Sequence, residues 1–130
     1  MTYRRAVATR NAVADAEGDM LNSGTIQIRT GSQPTAPDDA AGGTLLGTLT
    51  FNATAFGSPS TGVVTANAIT SDTSADNSGT AGHARILTSA PAIHSDCTCG
   101  MGSGDINFDN NVIVAGGTIA ISSLTLTAPQ

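Results

Sequence analysis

His83, His94, Cys97 and Cys99 are the residues whose types could assemble a chemical centre in this chain. Four such ligands make a tetrahedral zinc site when the fold brings them together. Their spacing argues against it. Zinc cysteines usually come in pairs roughly two to four residues apart, whereas Cys-x-Cys on a strand points both thiols the same way without a chelating turn. Gly100 and Gly102 could bend the chain towards a site. The expectation is nevertheless no metal and no cofactor, with these four serving as loop residues or in a subunit contact. A Cys97–Cys99 disulfide would close a very small, strained ring, so an intersubunit bridge is the better redox hypothesis.

Other constellations fail in similar ways. Asp105, Asn107, Asp109 and Asn110 imitate the start of a calcium loop, but Asn110 stands where the sharp-turn Gly belongs and Gly116 replaces the bidentate Glu. Gly100-Met-Gly-Ser-Gly104 has no following Lys and no convincing helix to cradle a phosphate. Asn52-Ala-Thr54 matches a glycosylation sequon, a three-residue pattern that arises by chance. Ser95 lies between His94 and Asp96, yet neighbours along a strand point to opposite faces. Asp38 and Asp39 have the same problem, in a loop bounded by prolines. With two His, one Tyr and no Lys, the acid–base inventory is poor and no catalytic residues are expected.

The elements that would position these residues are read from periodicity. Residues 3–21 form the one expected helix, with Val13, Ala16, Met20 and Leu21 as a narrow apolar stripe. Gly18 weakens it by about 1 kcal/mol, and Gly24 is placed to end it in a left-handed cap. From Thr25 onward the period is two. Thr25–Thr30 sets Ile26 and Ile28 on one face, and Thr44–Phe51 sets Leu45, Leu49 and Phe51 against Leu46, Thr48 and Thr50. Gly31–Gly43 is a loop and Gly57–Gly62 a turn holding Pro59. Val63–Ile69 and Thr80–Thr88 are further strands, separated by a polar, turn-like Ser71–Gly79. Short strands are expected at Ile93–Cys97 and Ile106–Phe108, with a bend at Cys99–Gly104. In the last strand, Thr118–Thr127, a bulge at Ser122-Ser123 would bring Ile119, Ile121, Leu124 and Leu126 to one side.

The expected fold is therefore all-β: an antiparallel β-sandwich or barrel of six to eight strands with one short N-terminal helix. Residues 1–24 form an N-terminal arm and helix, and residues 25–130 a single β-sandwich domain. Its core is thin. Aromatics are 3% of the chain, with no Trp, so the residues that bury most area are scarce and subunit contacts are expected to supplement the core.

Charge narrows the partners. Arg4, Arg5 and Arg10 fall in the first ten residues, leaving two Arg against ten acids in the remainder and a net charge of −5 overall. That balance disfavours nucleic acid and anionic membranes, which need a basic patch. Arg4, Arg5 and Arg10 are the candidate partner-binding residues, able to grip an acidic protein surface. No run reaches the roughly 20 apolar residues of a membrane span, and the first residues lack a signal peptide's apolar block. Synthesis in the cytoplasm is expected.

Taken in order, several segments resemble a family of small Thr/Gly/Ala-rich proteins encoded among virion genes of tailed bacteriophages and prophages. They are Arg10-Asn-Ala-Val-Ala-Asp-Ala16, Gly24-Thr-Ile-Gln-Ile-Arg-Thr-Gly-Ser-Gln-Pro34, Gly43-Thr-Leu-Leu-Gly-Thr-Leu-Thr-Phe51, Ala55-Phe-Gly57, Gly62-Val-Val-Thr-Ala-Asn-Ala-Ile-Thr-Ser-Asp72, Gly79-Thr-Ala81, Ala115-Gly-Gly-Thr-Ile119 and Leu124-Thr-Leu-Thr-Ala-Pro129. The departure lies at residues 83–100, where His94-Ser-Asp-Cys-Thr-Cys-Gly100 replaces an ordinary polar hairpin. The resemblance implies a virion structural protein, assembled in the host cytoplasm, with no active site. It fits a head decoration (cement) protein on the capsid lattice, bound to the major capsid protein and homo-oligomeric, a trimer being favoured. It also fits a tail or collar component: a tube, adaptor or tip subunit. A carbohydrate-binding surface module is the reading from another class, and Tyr3 is its one candidate platform residue.

Overall fold

The computed structural model describes residues 4–100, 106–108, 111–121 and 123–128. In chain order it forms α1 (Val7–Asp19), β1 (Thr25–Arg29), β2 (Leu45–Thr50), β3 (Val63–Thr65), β4 (Gly79–Thr80), β5 (His83–Leu87), β6 (Ile93–Gly100), β7 (Ile106–Asn107), β8 (Val112–Ile113) and β9 (Ser123–Thr127). The expected all-β fold with one short helix is the one formed. A seven-stranded sheet runs β2-β1-β5-β6-β7-β9-β3 and does not close; β4 and β8 make a separate ribbon. Among the described residues six strands have three or more residues, within the six to eight expected, and the two-residue β4, β7 and β8 take the number to nine. One pairing, β6 with β7, is parallel; the other strand pairings are antiparallel.

The β1 alternation builds the core as expected. Ile26 pairs with Ile86 and Ile28 with Ala84, and all four are buried on the same face. On β2 the expected faces do not hold, because Leu46 and Leu49 are both fully buried. The cause is a register shift: Ile28 lies opposite Gly47 but Arg29 lies opposite Leu45, so the strand bulges at Leu46 and turns it inward. At the other end of the sheet Leu124 pairs with Ile106 and Leu126 with Val64. Ile119 and Leu124 are in the core, with Ile121 and Leu126 packed against it. Of the Ser122-Ser123 pair expected to bulge, Ser122 lies outside the described residues and Ser123 opens β9.

Other expected strands change length for local reasons. Val63–Ile69 shortens to β3: Ala66 N–H still donates to the Leu124 carbonyl, but Ala66 also bridges Phe56 and the Asn67 N–H turns away to the Ala55 carbonyl. Thr80–Thr88 splits into β4 and β5 around Ala81 and Gly82, whose amides donate to Asn111 and Arg29. β6 runs straight through Cys99, where a bend was expected, because Cys99 N–H donates to the Gly82 carbonyl and Cys99 lies in register with Ile106. Thr118–Thr127 shortens to β9, with Ile119 forming a lone bridge to Asp72.

Both ends of the sheet are covered by the chain's own loops. Along β2, Thr48 N–H donates to Asp72 Oδ2 at 2.9 Å. The Leu46 carbonyl accepts from Asp76 N–H at 2.7 Å, and the Leu45 carbonyl from Asn77 Nδ2 at 2.9 Å. Along β3, the Thr65 carbonyl accepts from Gly57 N–H at 3.0 Å. Covered edges remove the unpaired backbone groups that template aggregation.

The helix is shorter than expected and buries another face. Ala14, Gly18 and, just beyond the end, Leu21 are buried, whereas Ala16 is exposed and Met20 is 57% exposed. Close approach decides this: a Cβ on Gly18 would lie 3.2 Å from Phe56, so the missing side chain is what lets α1 seat on that ring. Phe56 in turn packs on Phe51, with ring centroids 5.7 Å apart. The left-handed residue at the helix exit is Ser23 (φ 59°), not Gly24. Gly24 is required because a side chain there would collide with the Leu87 carbonyl. Intrinsic support for the helix is weak. Ala6 offers no side-chain cap, and the first turn has no acid and the last no base, so docking onto β3 and β9 holds it.

Candidate functional site

β5 is covered on both faces. Ala84 and Ile86 point into the core; His83 and Arg85 point to the opposite face, and both are buried, Arg85 with 5% exposure. A guanidinium is buried only when paired. Register supplies the pairs, since Arg85 lies between Gln27 on β1 and Asp96 on β6. Its Nε–H donates to Asp96 Oδ1 at 2.8 Å and its Nη2 to Asp96 Oδ2 at 3.0 Å. This is a bidentate, charge-assisted contact. The same Nη2 also donates to the Asp39 carbonyl at 2.7 Å, which draws the Gly31–Gly43 loop down over the sheet.

These contacts shift Arg85 upward from the ordinary arginine range. The hydrogen bond to Asp96 is the largest cause; burial opposes it, and the negative charges of Asp96, Asp39 and Asp38 add to the rise. The Asp96 side chain is only 1% exposed. With both carboxylate oxygens held by Arg85 it is poorly placed to take a proton from a substrate. The geometry describes a loop anchor.

His83 adds a second tie. Its Nδ1 lies 3.1 Å from the Gly31 carbonyl, an acceptor, so Nδ1 carries the proton. Its buried Nε2 has no hydrogen-bond partner among the described residues. Arg29, the cross-strand neighbour of His83, has its Nε in the same condition and places Nη2 3.3 Å from Gln27 Oε1.

The four residues considered for zinc are not gathered. His83 faces the loop; Cys97, in register with Ala84, lies in the core, and Cys99 packs against it. His94 sits at the far end of β6. Among the described residues no group of three or more His, Cys, Asp or Glu is close enough to hold a metal ion. Cys97 and Cys99 are both free thiols, Cys97 buried and Cys99 half-buried. Asp105, Asp109, Asn110 and Tyr3 lie outside the described residues, as does the 101–104 glycine segment.

One pair departs from its expectation. His94 and Ser95 were expected on opposite faces, yet His94 Nδ1 lies 2.9 Å from Ser95 Oγ. A bulge is responsible: Ile86 pairs with Ser95 but Leu87 with Ile93, leaving His94 as the extra residue. The described residues give His94 no orienting acid, since the neighbouring Asp96 is committed to Arg85. A hydrogen-bonded hydroxyl and imidazole without that third group is not a catalytic triad.

The N-terminal cations are divided. Arg4 is exposed and Arg5 half-buried. Arg10 is turned inward, its Nη1 3.3 Å from the Thr61 carbonyl, next to Asn11, whose Oδ1 accepts from Gly62 N–H at 2.7 Å.

Fold and site together define a small all-β domain with one helix, whose buried polar centre fastens a loop. No family model, curated protein or solved structure matches the chain.

Proposed function

We propose that this chain is a structural protein of a tailed bacteriophage particle, and within it a head decoration (cement) protein bound to the major capsid protein. The observation that carries the reading is the run of segments, from Arg10 to Pro129, that resembles small virion proteins. The architecture is compatible with that use. Both edges of the sheet are covered by internal loops, so assembly would proceed through side-chain surfaces and not by strand addition. The buried charged groups are spent on holding a loop in place. With Arg10 engaged on Thr61, the exposed Arg4 is an N-terminal cation placed to reach an acidic shell surface.

The test is the copy number of this chain relative to the major capsid protein in purified particles, by quantitative mass spectrometry. A ratio near one supports the cement reading. A ratio of a few per cent moves the chain to the collar or tail, and absence from particles overturns the virion reading.

A further inference from the structure

The 31–43 segment lies against the polar face of the sheet without burying any residue of its own. Every position from Gly31 to Gly43 is exposed or half-buried. The groups it fastens to are the opposite: His83, Arg85 and the Asp96 side chain are all buried. A segment that buries nothing gains little from the hydrophobic effect. Two polar ties hold it down. Arg85 Nη2 donates to the Asp39 carbonyl at 2.7 Å, and His83 Nδ1–H to the Gly31 carbonyl at 3.1 Å. Within the segment, Asp39 N–H donates to the Ala36 carbonyl at 3.0 Å and Ala36 N–H to Asp39 Oδ2 at 3.2 Å, so its middle is a small turn with bonds of its own.

The ends are built to pivot. Gly31 and Gly43 both have left-handed φ, 80° and 69°, a region that glycine enters and leaves at little cost. Just outside them Thr30 and Thr44 clamp the neck. Thr30 N–H donates to the Thr44 carbonyl at 3.1 Å, and Thr44 N–H to Thr30 Oγ1 at 2.9 Å. A surface loop with a closed neck and its own internal bonds has the form of an Ω-loop. We propose that residues 31–43 are a hinged lid that opens as a unit about Gly31 and Gly43 while the sheet stays folded. Opening breaks the two ties and uncovers His83 and Arg85. It leaves the Arg85–Asp96 contact in place and the apolar core, on the other face, covered. Openings far below the cost of global unfolding are drawn from segments with few buried contacts. Charge sets how often this one opens. Asp38 and Asp39, both exposed on the lid, act on Arg85 through their negative charges, and salt screens exposed charges. The lid is held most firmly at low ionic strength.

The device belongs to the isolated chain, so its failure and the failure of the virion reading are separately visible. The unsubstituted chain carries both reporters. His83, beneath the lid, reacts with diethyl pyrocarbonate only when uncovered; Cys97, on the core face of the neighbouring strand, reacts with iodoacetamide only when the sheet opens. Each rate is read by peptide mass spectrometry and compared with that of the same residue in the urea-unfolded chain. His83 is expected to be protected at least about tenfold less than Cys97. Its protection stays level in low urea, because little surface is exposed, while that of Cys97 falls. Raising ionic strength from about 10 mM to about 150 mM, or substituting Asp38→Asn, lowers the protection of His83 by about two- to fivefold and leaves Cys97 unchanged. Equal protection and equal urea dependence at His83 and Cys97 overturn the lid, since His83 is then uncovered only by global unfolding. Protection of His83 that responds to neither salt nor Asp38→Asn overturns the hold by charge.

Discussion

Arg85 and Asp96 meet across β5 and β6 in a two-point contact, Nε to Oδ1 at 2.8 Å and Nη2 to Oδ2 at 3.0 Å, on the side of the sheet away from the apolar core. The pair is nearly inaccessible to water and joined to the loop by the Asp39 carbonyl. Desolvation makes the net worth of such a pair small, but removing one partner strands the other charge. Asp96→Ala should therefore cost about 3–5 kcal/mol in chemical denaturation, whereas Arg85→Met with Asp96→Leu should lie much closer to wild type. A loss under about 1 kcal/mol for Asp96→Ala would remove the anchor from this account. The upward shift of Arg85 has a fixed sign: its contribution is complete below the ordinary arginine value and is lost only above it. Its titration should thus add no slope to stability between about pH 6 and pH 9.

Gly18 reverses the usual ranking of helix residues. Alanine there should gain about 1 kcal/mol in propensity, but its Cβ would sit 3.2 Å from a Phe56 ring already backed by Phe51. Overpacking costs typically about 1–3 kcal/mol. Gly18→Ala is expected to lower stability by about 1 kcal/mol net, and Phe56→Leu in the same chain to make the alanine neutral or favourable. Thermal melts of the four-member cycle check it. A stabilising Gly18→Ala on its own would mean that the helix can slide off Phe56.

That reversal marks the limit of what the residues alone disclosed. Ile26 and Ile28 were legible because strict alternation in a central strand has one solution. Leu46 was not, since a bulge is set by the partner's register and leaves no period in the sequence. The helix stripe was misread for a related reason: Gly18 and Ala14 carry little hydrophobic signal, and the seating of Gly18 is decided by Phe56, far along the chain. The polar centre was the least legible. Arg85 and Asp96 are ordinary residues until the β5–β6 register sets them opposite one another, and the segment holding Asp96 invited attention to its His and Cys neighbours instead.

Asp72 holds the 71–79 segment against the edge of the sheet. Its Oδ2 accepts from Thr48 N–H and its Oδ1 from Ser74 N–H, each at 2.9 Å. Asp72→Ala leaves both donors to water or unpaired, a loss of about 1–3 kcal/mol. The effect should be local as well as global. Hydrogen exchange is expected to accelerate at Thr48, Ser74 and Asp76 while Ile26 and Ile28 stay protected. Uniform acceleration across β1 and β2 would show that this edge cover is part of the global unfolding unit.

The turn beneath the helix carries a correctable strain. Ser60 and Val63 exchange backbone hydrogen bonds at 2.8 and 2.9 Å, so Thr61 and Gly62 are the two central residues of a tight hairpin. Both have positive φ, 48° and 79°, as a type I′ connection demands. Glycine takes that conformation without cost, but a β-branched threonine does not. Asparagine is the preferred residue in its place, and Thr61→Asn keeps the backbone carbonyl that Arg10 uses. It should stabilise by about 1 kcal/mol, seen as a rise of about 3–5 °C in Tm. Gly62→Ala should go the other way and further, because its Cβ would also stand 3.0 Å from Arg10 Cβ. The pair of variants separates two causes. If Thr61→Asn leaves Tm unchanged while Gly62→Ala lowers it, the contact with Arg10 controls this corner and backbone strain does not.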